Sequence, residues 1–258
     1  MNRTEQSFPN TPGSLTWPVP VVFPGQVDEV SACLFEGGEA LRPVPAAHLV
    51  ERFLSARERE TIPPEQPNPD RRFLWILARI AGKCAIMELL RKQGEAAQQL
   101  DLSEIEITSD KNGAPVAHIP AAAATRAAHL NVSLAHSGSM AAAAAAFSPI
   151  GIDVEPLARV PEFGWAKIAV ESEMKLIEGA PHRISGLATP LLQLWTAKEA
   201  ASKAARVGLA DGGLVRWRLI AVGLNRGWLV EDQRTRLHYG VHSAAKGQWL
   251  LACASRHR

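Results

Sequence analysis

An α+β fold in two lobes follows from three features of the 258-residue chain. Each half carries one long segment with helical spacing. Each helix is followed by short runs with strand character. Pro149 stands where the first set ends and the second begins. Helix-then-strands in both halves reads as two α+β lobes rather than an alternating βαβ chain. The boundaries are a flexible leader at 1–20, an N-terminal lobe at 21–148 and a C-terminal lobe at 149–258. No repeated stretch of sequence relates the halves.

The leader is rich in Pro, Ser, Thr and Asn, the composition of a loosely attached terminus. "VVFPGQVDEVSACLFE" gives two strand-like runs around a Pro-Gly turn. Ala46 to about Arg59 is helical, with Ser55 and Glu58 at capping-box spacing. The main helix of this half runs from Asp70 to Gly94. Phe73, Ile76, Leu77, Ile80, Cys84, Met87 and Leu90 line one stripe of it, and Arg71, Arg72, Arg79 and Lys83 decorate it. "SEIEITSDKNGAPVAHI" alternates around Asn112-Gly113 and predicts a hairpin. Ala141–Ala146 has helical propensity. It is boxed between Gly138 and Pro149 and flanked by extended patterns, so a strand is expected there.

In the second half a helix is expected around Trp165–Glu178. A Gly/Pro/Ser-rich loop follows, then a strong helix through "LLQLWTAKEAASKAARVG" closed by Gly208. Three strand-like runs, "LVRWRLIAVG", "GWLVEDQR" and "QWLLACASR", complete the chain.

Composition narrows the class. Hydrophobic residues make up 47% and charged residues 21%, an ordinary globular balance. A formal charge of +2 gives no reason to expect a nucleic-acid partner. No apolar run approaches the roughly 20 residues that a membrane helix needs, and the N-terminus lacks the pattern of a signal peptide. Cys33, Cys84 and Cys253 lack metal-site spacing and read as reduced core thiols. A cytoplasmic location is expected.

The chemistry concentrates in two segments. In "PIGIDVEP" a strand places Asp153 and Glu155 on one face and Ile152 and Val154 on the other. Adjacent, partly buried carboxylates need a compensating cation or solvent. In "WTAKEAASKAA" Glu199 and Lys203 share a helix face, with Trp195 one turn earlier. By itself that is a surface ion pair. Together, Asp153, Glu155 and Glu199 offer the hard oxygen donors that suit Mg²⁺, and neighbouring lysines suit phosphate.

These two segments, in this order, resemble the paired signature of the 4′-phosphopantetheinyl transferases, in the monomeric surfactin-synthetase-type branch. Gly151, Asp153, Glu155, Trp195, Lys198, Glu199 and Lys203 match in register. "NVSLAHSGSM" resembles a third family segment, with Ala135 in place of a serine. "FLSARERE" and "RRFLWILARIAGK" resemble two more. Ala114 stands where a phosphate-binding lysine is common, with Lys111 as a substitute.

The resemblance implies a pseudo-dimer of two similar lobes in one monomeric chain, with the active site in the cleft between them. It implies Asp153, Glu155 and Glu199 as ligands of Mg²⁺, with Mn²⁺ possible. It implies Arg72, Arg79, His136, Lys198 and Lys203 as contacts of coenzyme A, the co-substrate. The implied reaction moves the 4′-phosphopantetheine arm to a serine of an apo acyl or peptidyl carrier protein and releases 3′,5′-ADP. Glu199 is the candidate base, with Asp153, Glu155 and Lys203 as the other catalytic residues. A non-catalytic coenzyme A or carrier-protein binding module would keep the same residues. An unrelated phosphotransferase would bring a Gly-rich phosphate loop, and none of that pattern is present.

Overall fold

Alternation along the strands sets the layering of this chain. The computed structural model describes residues 19–21, 30–36, 45–65, 69–94, 100–120, 129–159, 168–179, 190–209, 212–223 and 227–257. In the first half lie β1 (Val19–Val21), β2 (Val30–Glu36), α1 (Ala46–Phe53), α2 (Ala56–Glu60), α3 (Pro69–Lys92), β3 (Glu106–Ser109), β4 (Pro115–His118), β5 (Asn131–Ser137) and β6 (Met140–Ala146). In the second lie β7 (Ile150–Pro156), α4 (Glu171–Glu178), α5 (Pro190–Ala204), β8 (Trp217–Val222), β9 (Gly227–Asp232), β10 (His238–Lys246) and β11 (Trp249–Arg256). The fold class is α+β, and the paired strands are antiparallel throughout. One sheet has the order β1-β2-β6-β5, the other β7-β11-β10-β9-β8, and β3 pairs with β4 alone.

β6 shows how the layers stack. Ala141, Ala143 and Ala145 pack with the apolar side of α3, while Ala142, Ala144 and Ala146 pack with Ile150, Ile152, Val154, Leu251 and Cys253 of the other sheet. Behind that sheet, Ala252 and Ala254 of β11 meet Ala197, Ala200 and Ala201 of α5. The order is helix, sheet, sheet, helix. Burial on both faces is why the alanine run is a strand: every one of its seven residues is buried, and packing overrides helix propensity.

The two lobes repeat one another in detail that the side-chain sequence conceals. In each, the last strand lies between the penultimate strand and one from the start of the lobe: β6 between β5 and β2, β11 between β10 and β7. Each final hairpin turns on a glycine in the left-handed region, Gly138 (φ 54) and Gly247 (φ 56). Each lobe also holds a buried ion pair from a short helix to a long one. Lys83 donates to Glu58 at 2.6 Å and to the Phe53 carbonyl. Lys198 donates to Glu173 at 3.0 Å and to the Ile168 carbonyl.

In both pairs the partners are 25 residues apart and the carbonyl lies 30 residues from the lysine. Both glutamates also accept from their helix's first N–H, of Ser55 and Val170, and from a following strand, through the N–H of Ile107 and Leu219. With these bonds made, a carboxylate and an ammonium can be buried together.

Several expectations are corrected. The helix expected from Ala46 to Arg59 is two helices, because Ser55 caps α2 through the capping box with Glu58. The helix expected around Trp165–Glu178 begins at Glu171, residues 160–167 lying outside those described. α5 stops at Ala204, not at Gly208, because Arg206 takes a left-handed φ of 59. β10 is not among the expected strands: Tyr239, Val241 and Ser243 face inward, but His238, Gly240 and His242 interleave them and blur the apolar signal. Of the leader, only Val19 and Pro20 are described, and they stand in β1.

Candidate active site

Gly151 sets the spacing between β7 and α5. A Cβ there would lie 1.9 Å from the Ala200 carbonyl oxygen and 2.5 Å from the Ala204 nitrogen, so only glycine lets the two backbones approach this closely. The odd positions of β7 all face α5. Asp153 and Glu155 are therefore pressed toward the helix, while Ile150, Ile152 and Val154 fill the core between sheets. Both carboxylates are buried.

Two cations meet them. Lys203 Nζ donates to Asp153 Oδ1 at 2.7 Å. Arg159 donates to Glu155 Oε2 at 2.5 Å, and Ser137 Oγ, from β5 of the other lobe, donates to the same oxygen at 2.6 Å. The Arg159 guanidinium also lies over the Trp195 ring, 4.9 Å from its centre. Trp195 Nε1 in turn donates to Glu199 Oε1 at 2.5 Å. The compensation anticipated for paired carboxylates is thus a lysine on one and an arginine on the other.

Electrostatics mark the three acids as one group. Burial pushes the Asp153 carboxyl up to about 7, opposed by the Lys203 ammonium and reinforced by Glu199 and Glu155. Lys203 loses by burial but gains more from Asp153 and Glu199, so its pKa is raised. His136, on β5, is pulled below the usual histidine range by burial, Lys203 and Arg71, which places it within reach of the same field.

The donor set suits a hard divalent cation. All three side chains offer oxygen, and Asp153 Oδ2 is buried with no hydrogen-bond partner among the described residues. As placed, no three acidic, His or Cys side chains among those residues converge closely enough to hold an ion. Lys203 and Arg159 engage the carboxylates instead.

The other expected residues fall on both sides of this site. Lys198 is corrected: it is 1% exposed and points to Glu173 and Ile168, one helical step away from the face of Glu199 and Lys203. Arg79 is also buried, with its guanidinium over Trp75, and offers no surface to a nucleotide in this arrangement. Burial pulls it down to about 10, with Glu58 opposing. Arg72 is partly exposed and lies 3.7 Å from Glu65.

A cavity of about 190 Å³ opens between the lobes beside Lys203, lined also by Asn112, Pro115, Asn131, Ser133 and Arg206. Ala114 is in its wall. Besides Lys111 of the hairpin itself, Arg206 reaches this turn from beyond α5, donating to Asp110 Oδ2 at 2.9 Å and to the Pro115 carbonyl.

Sequence reasoning missed Ser137, Arg159 and Arg206. Only Arg159 carried a usable signal, a cation four residues beyond Glu155. Ser137 and Arg206 act across the lobe boundary, and no periodicity reports that.

Residues 149–254 match the family model described as the 4′-phosphopantetheinyl transferase superfamily. No match is found among curated protein sequences. Among solved structures the chain is similar to a holo-ACP-synthase from Plasmodium yoelii, a distant likeness: identity is 17%, 46% of this chain and 93% of that chain are covered, and the TM-score is 0.35. The matched residues run from the foot of β7 to near the end of β11 and include Asp153, Glu155, Glu199 and Lys203. The C-terminal lobe is thus similar to the 4′-phosphopantetheinyl transferase superfamily over residues 149–254.

Proposed function

We propose that this chain transfers the 4′-phosphopantetheine arm of coenzyme A to a serine of an apo acyl or peptidyl carrier protein, as a two-lobed, cytoplasmic monomer of the surfactin-synthetase type. The observation that carries this reading is the Lys203–Asp153 pair between β7 and α5, with Glu155 on the same strand and Glu199 on the same helix, beside an inter-lobe cavity. Asp153, Glu155 and Glu199 would hold Mg²⁺ or Mn²⁺. Such an ion, when bound, supplies charge stabilisation to phosphate oxygens.

The chain's own residues account for the rest. Lys203 lines the cavity and is partly exposed, so its ammonium can meet the coenzyme A diphosphate. His136 and Arg72 stand as further phosphate contacts. Lys198 takes no part in binding and instead anchors α5 to α4 through Glu173. Glu199, held by the Trp195 N–H, accepts the proton of the carrier serine as its oxygen attacks the β-phosphorus. The bond from that phosphorus to the bridging oxygen breaks, and 3′,5′-ADP leaves with the electron pair.

Intact-mass spectrometry of several apo carrier proteins, after incubation with coenzyme A, Mg²⁺ and this protein, tests the reading. One phosphopantetheine arm should be gained, and lost with EDTA. Glu199→Ala should slow the gain by about a hundred- to ten-thousand-fold, the range for a proton-transfer group. Coenzyme A binding without any mass gain would instead identify a non-catalytic binding module.

A further inference from the structure

Arg159 has no role in the reading above, yet it touches the site at two points. It donates to Glu155, covers Trp195, and Trp195 holds Glu199. Its backbone is fixed beyond the end of β7: Leu157 N–H donates to the Gln248 carbonyl and Arg159 N–H to the Pro156 carbonyl. The side chain is 39% exposed while Glu155 is 6% exposed. The guanidinium can therefore leave for solvent while the carboxylate and the main chain stay. Lys203 differs: it approaches Asp153 from α5, and its side chain is less exposed.

Resting on the proposed metal-dependent transfer, we propose that Arg159 is a resident counter-ion that keeps Glu155 in place and that a divalent cation displaces. A divalent cation and a guanidinium held on one buried carboxylate repel each other at short range. Metal entry at Glu155 thus favours withdrawal of the arginine, and the Trp195 ring gives the released guanidinium a surface to rest on. The arrangement spares Glu155 from being buried without a partner before the metal arrives.

Binding of Mn²⁺ to the full chain without coenzyme A, followed by the EPR signal of free Mn²⁺, tests this. Arg159→Gln should bind about ten-fold more tightly than the wild type, the equivalent of one charge-assisted hydrogen bond no longer broken. Arg159→Lys, which keeps the charge but loses the fork and the stack, should fall between them. Arg57→Gln removes an equal charge from an exposed pair elsewhere and should match the wild type. Adding Mg²⁺ should change tryptophan fluorescence in the wild type and change it less in Arg159→Gln.

Equal or weaker Mn²⁺ binding by Arg159→Gln overturns the inference. If that variant does not fold, equal or weaker binding by Arg159→Lys does so alone. Carrier labelling that proceeds alongside unchanged affinities defeats this inference and leaves the transferase reading standing. Absence of both labelling and Mn²⁺ binding in the wild type defeats the transferase reading and this inference with it.

Discussion

The two lobes place different residues at equivalent positions of one scaffold. Aligning α3 and α5 on their buried lysines, Lys83 and Lys198, sets Cys84 opposite Glu199 and Glu88 opposite Lys203. Aligning the final hairpins on Gly138 and Gly247 sets Cys33, which pairs with Ala143, opposite Asp153, which pairs with Ala252. So the N-terminal lobe has two thiols where the C-terminal lobe has two carboxylates. Burial pushes both thiols up to about 12, where they are inert core groups. The same register also pairs Ser31 with Gly151. What the lobes share is the buried Lys–Glu pair and the placing of the last strand between two others, β2-β6-β5 and β7-β11-β10, which belong to folding. What they do not share is the charge on the facing sides of strand and helix, which belongs to chemistry.

Breaking the shared part should give the largest effect. Lys83→Met and Lys198→Met each leave a buried glutamate unpaired, and each should cost about 3–5 kcal/mol in urea unfolding. The difference between them sharpens the comparison. Lys83→Met should retain carrier labelling per folded molecule, whereas Lys198→Met should also lose labelling, because α5 carries Glu199 and Lys203.

Next comes the close approach special to the second lobe. Gly151→Ala drives a methyl group into the α5 backbone and should cost about 3 kcal/mol, the upper end for overpacking. Ser31→Ala, at the equivalent place, removes a buried hydroxyl that has no hydrogen-bond partner among the described residues. It should be neutral or slightly stabilising by the same measurement.

The smallest effect is in the pH dependence. Asp153 holds its proton more tightly in the folded protein, at about 7, than at the ordinary carboxyl value of 3.8. Its contribution to stability is therefore greatest below about 4, falls as pH rises toward 7, and is level above that. Thermal melting of Asp153→Asn between pH 4 and 7 should show less of that decline than the wild type. An unchanged slope would mean that Asp153 is ionised throughout, held by Lys203.

Much of this was legible in the chain. Period-two spacing put Asp153 and Glu155 on one face, helical spacing put Glu199 and Lys203 on another, and the boxed alanine run was a strand. Lys198 misled because adjacency along a helix is not adjacency in space: one residue turns the side chain by about 100°, from the cleft to the core. The likeness of the lobes stayed hidden because it lies in backbone bonds and one ion pair rather than in side-chain identity. Ser137 and Arg206 could not be found, since their partners come from the other lobe.

On the proposed function, the C-terminal lobe alone carries the ion-binding positions among the described residues. Anomalous diffraction from crystals grown with Mn²⁺ and coenzyme A tests it most directly. A single strong peak bounded by Asp153, Glu155 and Glu199, with Arg159 turned away from Glu155, is expected. A peak elsewhere, with these three carboxylates still paired to Lys203 and Arg159, would contradict it.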